Sequence, residues 1–195
     1  VSIRWPIWKQ LGIVSTPGRI PDVLQQPPTN RDTSPMTVRI LYVCMGNICR
    51  SPTAKGVFDQ ALDNAGIAYT SESAGTHGYH VSAPPDSRAV ERARHYGVDI
   101  SGDRARQVQG ADFESFDRIF AMDRDNLSRL KDLYPGDGRA RLQLVMELVP
   151  DYGLDEVPDP YYGGQQGFDR VIDMLDAAAR ALVDELDAAS NRSRS

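Results

Sequence analysis

The chain has 195 residues, of which 41% are hydrophobic and 25% charged, enough for one domain with a sizeable core plus tails. Its net charge of −5 argues against general nucleic-acid binding, its two cysteines are too few for a secreted disulfide scaffold, and no apolar run reaches membrane-spanning length. What remains is a globular protein with free thiols, suited to a reducing compartment such as the cytoplasm, with room for a local anion site at most.

Residues 1–35 hold Pro6, Pro17, Pro21, Pro27, Pro28 and Pro35 and show no sustained apolar period. "LQQPPTNRDTSP" is linker-like, and the segment lacks the apolar core of a secretory signal. It reads as a disordered extension, with an arm packed through Trp5 and Trp8 as the alternative. Met36 stands just ahead of the first strand pattern as a candidate natural start.

"TVRILYV" (Thr37–Val43) is β-branched and almost continuously apolar, as in a strand buried on both faces. Ala54, Val57, Phe58, Ala61, Leu62 and Ala65 then follow helical spacing, with Ser51 as the expected cap, Pro52 in the first turn and Gly66 at the end. "AYTSESAG" (Ala68–Gly75) reads as a second strand and Asp86–Gly97 as a second helix. Phe116–Met122 reads as a third strand, followed by a helix from Asp123 stopped by Pro135. Ala140–Leu148 reads as a fourth strand of ambiguous period, and a loop rich in proline and glycine then runs to Gly167. Phe168, Val171, Ile172, Leu175, Ala179, Leu182 and Leu186 line one face of a last helix, and "NRSRS" (191–195) is a polar tail. Alternating strands and helices over residues 36–190 predict an α/β domain, a three-layer sandwich with a four-stranded parallel sheet and helices on both faces. Ligands in such sheets bind beyond the carboxyl ends of strands, where Cys44 sits.

Both cysteines fall in "VCMGNICRSP" (Val43–Pro52), between the first strand and the first helix. A loop entering a helix N-terminus presents backbone N–H groups and the positive end of the helix dipole to an anion. Gly46 and Asn47 tolerate the backbone angles that curl such a loop, and the planar fork of Arg50 matches two oxygens of a phosphate. The same field favours a thiolate on Cys44, with the Ser51 hydroxyl as a hydrogen-bond donor to it. A lone cysteine at a strand end is more often a packed core residue. Arg50 six positions on, with Gly46, Asn47 and Ser51 between, turns that reading toward an oxyanion site built around a nucleophile. Cys44 and Cys49 also meet the spacing of one metal-binding pair, but a second pair is missing, and His77, His80 and His95 lack ligand spacing with one another.

"VCMGNICRSP" resembles the active-site loop of the low-molecular-weight protein tyrosine phosphatases. "SAGTHGYH", "ARQV", "FDRIFAMDRDNL" and "DPYYGG" agree with that family in the same order, from about Val38 to the last helix. The resemblance implies a Rossmann/flavodoxin-like fold and hydrolysis of phosphotyrosine through a cysteinyl-phosphate, without metal or cofactor. Cys44 is then the nucleophile, and Arg50 and the loop residues Met45, Gly46, Asn47, Ile48, Cys49 and Ser51 hold the phosphate. Asp159 of "DPYY" is the general acid and then the general base, and Pro160 favours an extended backbone at it. Tyr79, Tyr161 and Tyr162 become aromatic walls, deep enough for phosphotyrosine and too deep for phosphoserine, with Tyr162 equally readable as a surface aromatic. Asn47, Ser51 and Ser73 match positions that support the loop. The implied partners are phosphotyrosine-containing proteins, with inorganic phosphate or vanadate as competitive ligands and neither nucleic acid nor membrane involved. Cys49 is either a thiol that captures the oxidised nucleophile as a disulfide or a small residue packed behind the loop. The family often has histidine where this chain has Asp103, so the supporting network is expected to differ there.

Three other functions compete. An arsenate reductase on the same scaffold relays its disulfide through further cysteines, which this chain lacks. A phosphate-binding module without turnover has no need for Cys44, Arg50 and Asp159 together. A phosphoarginine phosphatase of the same fold tends to carry threonine where this chain has Ile48, and to lack the paired tyrosines.

Overall fold

The computed structural model describes residues 37–134, 136 and 138–194. The expectations for residues 1–35 (Trp5 and Trp8 included), for Met36 as the start and for Pro135 as a helix stop lie outside them.

Strand β1 (Val38–Cys44) sits inside a four-stranded parallel sheet of order β2-β1-β3-β4, with β2 at Tyr69–Gly75, β3 at Arg118–Ala121 and β4 at Arg141–Leu144. Its side chains alternate between two cores, as a strand's period of two requires. Ile40, Tyr42 and Cys44 join Phe120 under α1 (Arg50–Ala65), α2 (Ser87–His95) and α5 (Gln165–Arg194). Leu41 and Val43 point the other way, to Phe113 of α3 (Asp112–Ser115) and Leu130 of α4 (Arg124–Leu133). The three layers and the parallel sheet are those the alternating pattern predicts.

The element ends show where local chemistry won and where it did not. Gly66 closes α1 at φ 67°, and Asp123 caps α4 by accepting from the Asn126 N–H at 2.7 Å. Ser51 does not cap α1. The N-cap is Cys49, without a side-chain cap bond, and Ser51 lies within the first turn with its hydroxyl turned toward the sheet. The fourth strand stops at Leu144, because Glu147 reaches back to the Leu144 N–H at 3.3 Å and residues Val145–Leu148 form a 3₁₀ turn. Helix α3 has no sequence period to reveal it. It is anchored by Asp112, which accepts from Arg106 at 2.9 and 3.1 Å and from the Gln109 N–H at 2.8 Å. Helix α5 starts three residues before Phe168 and continues into the expected polar tail.

The chain passes from β1 to β2 on one side and returns to β3 on the other, so the crevice at the carboxyl ends of β1 and β3 is the topological switch point. Asp117 stitches that pair together at the opposite end. Its carboxylate accepts from the Arg39 N–H at 2.9 Å and from the Arg39 guanidinium at 3.2 and 3.0 Å, and its own N–H donates to the Arg39 carbonyl. These side-chain hydrogen bonds hold the Asp117 carboxyl down to about 2, from 3.8. A carboxylate with a lowered folded-state pKa stabilises the fold above its unfolded value and loses that contribution as pH falls through the folded one. The stability gap between the wild type and Asp117→Asn should therefore be full above about pH 4 and close as pH falls toward about 2. Urea denaturation across that range measures it; a gap that ignores pH would contradict the assignment.

Candidate active site

Five backbone N–H groups in and after the loop that follows β1, those of Gly46, Ile48, Cys49, Arg50 and Ser51, find no acceptor among the described residues. The first turn of any helix leaves such donors. Here the loop adds more, with Asn47 at φ 55° making the bend. The Asn47 N–H lies 3.3 Å from Cys44 Sγ, and Ser51 Oγ lies 3.1 Å from the same sulfur. This donor-rich concavity suits an oxyanion with a thiolate beneath it.

The loop's shape is held from below by side chains. The Asn47 amide donates to Ser51 Oγ at 2.9 Å and to Ser73 Oγ at 2.8 Å, while its carbonyl accepts the Arg106 N–H at 2.8 Å. Asn47 is 2% exposed and has all three roles filled. The Ser51 hydroxyl has one proton and two neighbours that can take it, Cys44 Sγ at 3.1 Å and the Ala74 carbonyl at 3.2 Å. An anionic sulfur takes that proton; a neutral thiol leaves it to Ala74. Asp103 stands apart from this network, 3.9 Å from Lys55 Nζ, with burial pushing its carboxyl up. The third support of Asn47 is a backbone N–H, so the loop needs no side chain from position 103.

Arg50 is 4% exposed, and the surrounding elements supply its partners. One terminal nitrogen donates to Asp123 Oδ2 at 2.5 Å and to the Val157 carbonyl at 3.1 Å; the other lies 3.5 Å from Asp159 Oδ2. Burial alone would lower its pKa, but the Cys44 sulfur and the carboxylates of Asp123 and Asp159 outweigh burial and raise it. Cys49, on the far side of the loop, is buried and free, and burial pushes its thiol up to about 12.

Asp159 is two-fifths exposed and accepts the Tyr161 N–H at 3.0 Å. Tyr79 is exposed and stacked on His77 at 5.0 Å; Tyr161 and Tyr162 meet edge to face at 5.1 Å. Met45 is exposed, and its carbonyl accepts the His77 N–H. The structure thus brings Cys44, Asn47, Arg50, Ser51, Ser73 and Asp159 together by direct contact. Tyr162, at 95% exposure, makes its ring contact with Tyr161. Two participants escape sequence reasoning. Asp123 reads there only as a helix start, although a buried arginine demands a counter-ion from somewhere. His80 reads as an unplaced histidine, yet its ring packs against the loop at Gly46, where an added Cβ would sit 3.0 Å from it.

Residues 39–192 match the family model described as low molecular weight phosphotyrosine protein phosphatase. The chain belongs to that family. A low molecular weight phosphotyrosine protein phosphatase of Schizosaccharomyces pombe is 39% identical over 149 residues, 74% of this chain and 95% of that one. A low molecular weight protein-tyrosine-phosphatase of Streptomyces coelicolor is also 39% identical, over 76% of this chain and 93% of its own length. The crystal structure of a protein tyrosine phosphatase from Entamoeba histolytica superposes with a TM-score of 0.75 at 38% identity, covering 79% of this chain and 99% of that one. No helix among the described residues is long and apolar enough to cross a membrane.

Two predictions follow from the geometry of this family member. Iodoacetate at neutral pH should alkylate Cys44 and spare Cys49, and added phosphate should slow the reaction; peptide mass mapping after brief exposure reads both. Asp123→Asn keeps a helix-capping side chain but removes the charge opposite Arg50, so stability should fall by about 1–3 kcal/mol. Phosphate should restore part of that loss by supplying a replacement anion, as thermal melts with and without it would register.

Proposed function

We propose that this family member hydrolyses phosphotyrosine in proteins through a cysteinyl-phosphate on Cys44. The observation that carries the reading is one sulfur reached by both the Asn47 N–H and the Ser51 hydroxyl, with the buried Arg50 guanidinium in the same loop. Phosphate oxygens take the unpaired loop N–H groups and the Arg50 fork. The Cys44 thiolate attacks phosphorus in line, the bond from phosphorus to the tyrosine oxygen breaks, and Asp159 gives its proton to the departing phenolate. Water then attacks phosphorus, Asp159 takes a proton from it, and the P–S bond breaks to release phosphate. The Ser51 hydroxyl, 3.1 Å from the sulfur, stabilises the thiolate as it leaves. Met45, Gly46, Ile48 and Cys49 shape the cradle with their backbone. The exposed rings of Tyr79 and Tyr161 offer walls for a phenyl group, which favours phosphotyrosine over a shorter phosphoserine. Inorganic phosphate and vanadate should compete for the same cradle.

The match over residues 39–192 supports assigning the catalytic unit to 36–190 and treating residues 1–35 as an extension of it. Free thiols at the centre of the chemistry suit a reducing compartment, the cytoplasm.

The test is a comparison of phosphotyrosine, phosphoserine and phosphoarginine peptides, with burst kinetics on an aryl phosphate. Phosphotyrosine should be the best substrate, and Cys44→Ser should abolish both the burst and turnover. Asp159→Asn should lose about 10²–10⁴-fold on substrates with poor leaving groups and much less on activated ones. Normal turnover by Cys44→Ser would overturn the mechanism.

A further inference from the structure

Asp159 projects from a segment anchored by the buried Pro160, which packs beside Cys49, Ala89 and Phe168, and by few hydrogen bonds. Among the described residues, residues 158–164 are tied to other elements by three hydrogen bonds: Arg50 to Asp159 at 3.5 Å, Arg88 to the Tyr161 carbonyl at 2.9 Å, and the Gly167 N–H of α5 to the Gly164 carbonyl at 2.9 Å, five residues past the acid. The first bond is long, and it competes with catalysis. When phosphate occupies the cradle, its oxygens draw the Arg50 fork, and an Asp159 that carries a proton to the leaving group no longer attracts a guanidinium as a carboxylate does. The remaining side-chain hydrogen bond to this segment from another element is that of Arg88.

Arg88 is built for that task. It stands in the first turn of α2, and its Nε and one terminal nitrogen grip the two oxygens of Asp86 at 2.9 and 2.7 Å. That fork fixes the guanidinium plane, and the other terminal nitrogen reaches the Tyr161 carbonyl. The same guanidinium lies 5.1 Å from the Tyr161 ring centre and 5.3 Å from that of Phe168, at the start of α5. Asp86 in turn donates its N–H to the Ile48 carbonyl of the phosphate loop at 2.8 Å. The Tyr161 N–H closes the chain by donating to Asp159 Oδ1 at 3.0 Å. One relay therefore runs from the phosphate loop through Asp86, Arg88 and Tyr161 to the carboxyl group that protonates the leaving group. Asp86 also caps α2 by accepting the Arg88 N–H at 2.9 Å, so the carboxylate that fixes the guanidinium is itself fixed at the helix start.

We propose that Arg88 is a positioning residue that holds Asp159 over the leaving-group oxygen during the first chemical step. The proposal rests on the phosphatase reading above. Arg88 touches no reacting atom in it; it acts through Tyr161.

The experiment measures kcat/KM for wild type, Arg88→Ala, Arg88→Lys and Asp159→Asn on aryl phosphates whose leaving groups span a wide pKa range, with vanadate inhibition alongside. Arg88→Ala should lose about tenfold on the poorest leaving groups, part of the roughly 10²–10⁴-fold that general acid catalysis supplies, and stay within about twofold on the best. Vanadate inhibition should stay unchanged. Arg88→Lys, which keeps the charge and loses the fork, should fall between wild type and Arg88→Ala. On the Asp159→Asn background, Arg88→Ala should cost almost nothing further, because the group it positions no longer donates a proton. An equal loss across all leaving groups, or a full additive loss on that background, would overturn the positioning role. A wild type without a Cys44-dependent burst would instead overturn the phosphatase reading, and this proposal with it.

Discussion

A guanidinium taken almost completely out of water must be given negative charge and hydrogen-bond acceptors, or the fold will not keep it. Arg50 is in that position at the start of α1, and much of the sheet's carboxyl edge is arranged around it. Asp123 comes from just past the end of β3, and the Val157 carbonyl and Asp159 from the loop before α5. The Cys44 sulfur belongs to the same set, as one of the groups that raise the Arg50 pKa against the effect of burial. Nucleophile, anion receptor and proton donor are thereby parts of one electrostatic unit.

The uncharged half of the site solves a different problem, which is shape. A loop with most of its N–H groups pointing inward has few backbone bonds of its own and needs another scaffold. Asn47 supplies it by spending both amide protons on serines and its carbonyl on the Arg106 N–H. Because the last partner is backbone, the side chain at position 103 is released from the network, and Asp103 pairs with Lys55 across the cleft beside α1. The departure from the family pattern thus changes the surface and leaves the loop intact. Gly46 contributes by omission, since its missing side chain lets the His80 ring close against the loop.

The four strands and the four longer helices are legible in the sequence from apolar runs, apolar stripes and stop residues, β1 as a continuous apolar run and α5 as a long apolar stripe. Reading the sequence misplaced Ser51 as a cap, since a serine beside a helix start has the same local signature whether it turns to the helix or to a sulfur. It extended β4 through Leu148 because Val145 and Met146 are as apolar as strand residues, and the turn is made by Glu147, whose reach back to Leu144 has no periodic trace. Helix α3, at four residues, is too short for any period to show.

The amino-acid order alone determined the cradle, the nucleophile and the cation within it. Cys44, Gly46, Asn47, Arg50 and Ser51 lie within eight consecutive positions from a strand end to a helix start, so covalent proximity gathers them, while Ser73 and the Arg106 N–H fix the shape they take. Family resemblance carried that reading to Asp159. Only the tertiary structure decided which anion meets Arg50 and what steadies the acid. Arg50 and Asp123 are 73 residues apart, as are Arg88 and Tyr161, and nothing in the local pattern of either pair points to the other. They meet because parallel strands end at one edge of the sheet and the chain reverses direction there, so contacts of that range are a property of the assembled layers.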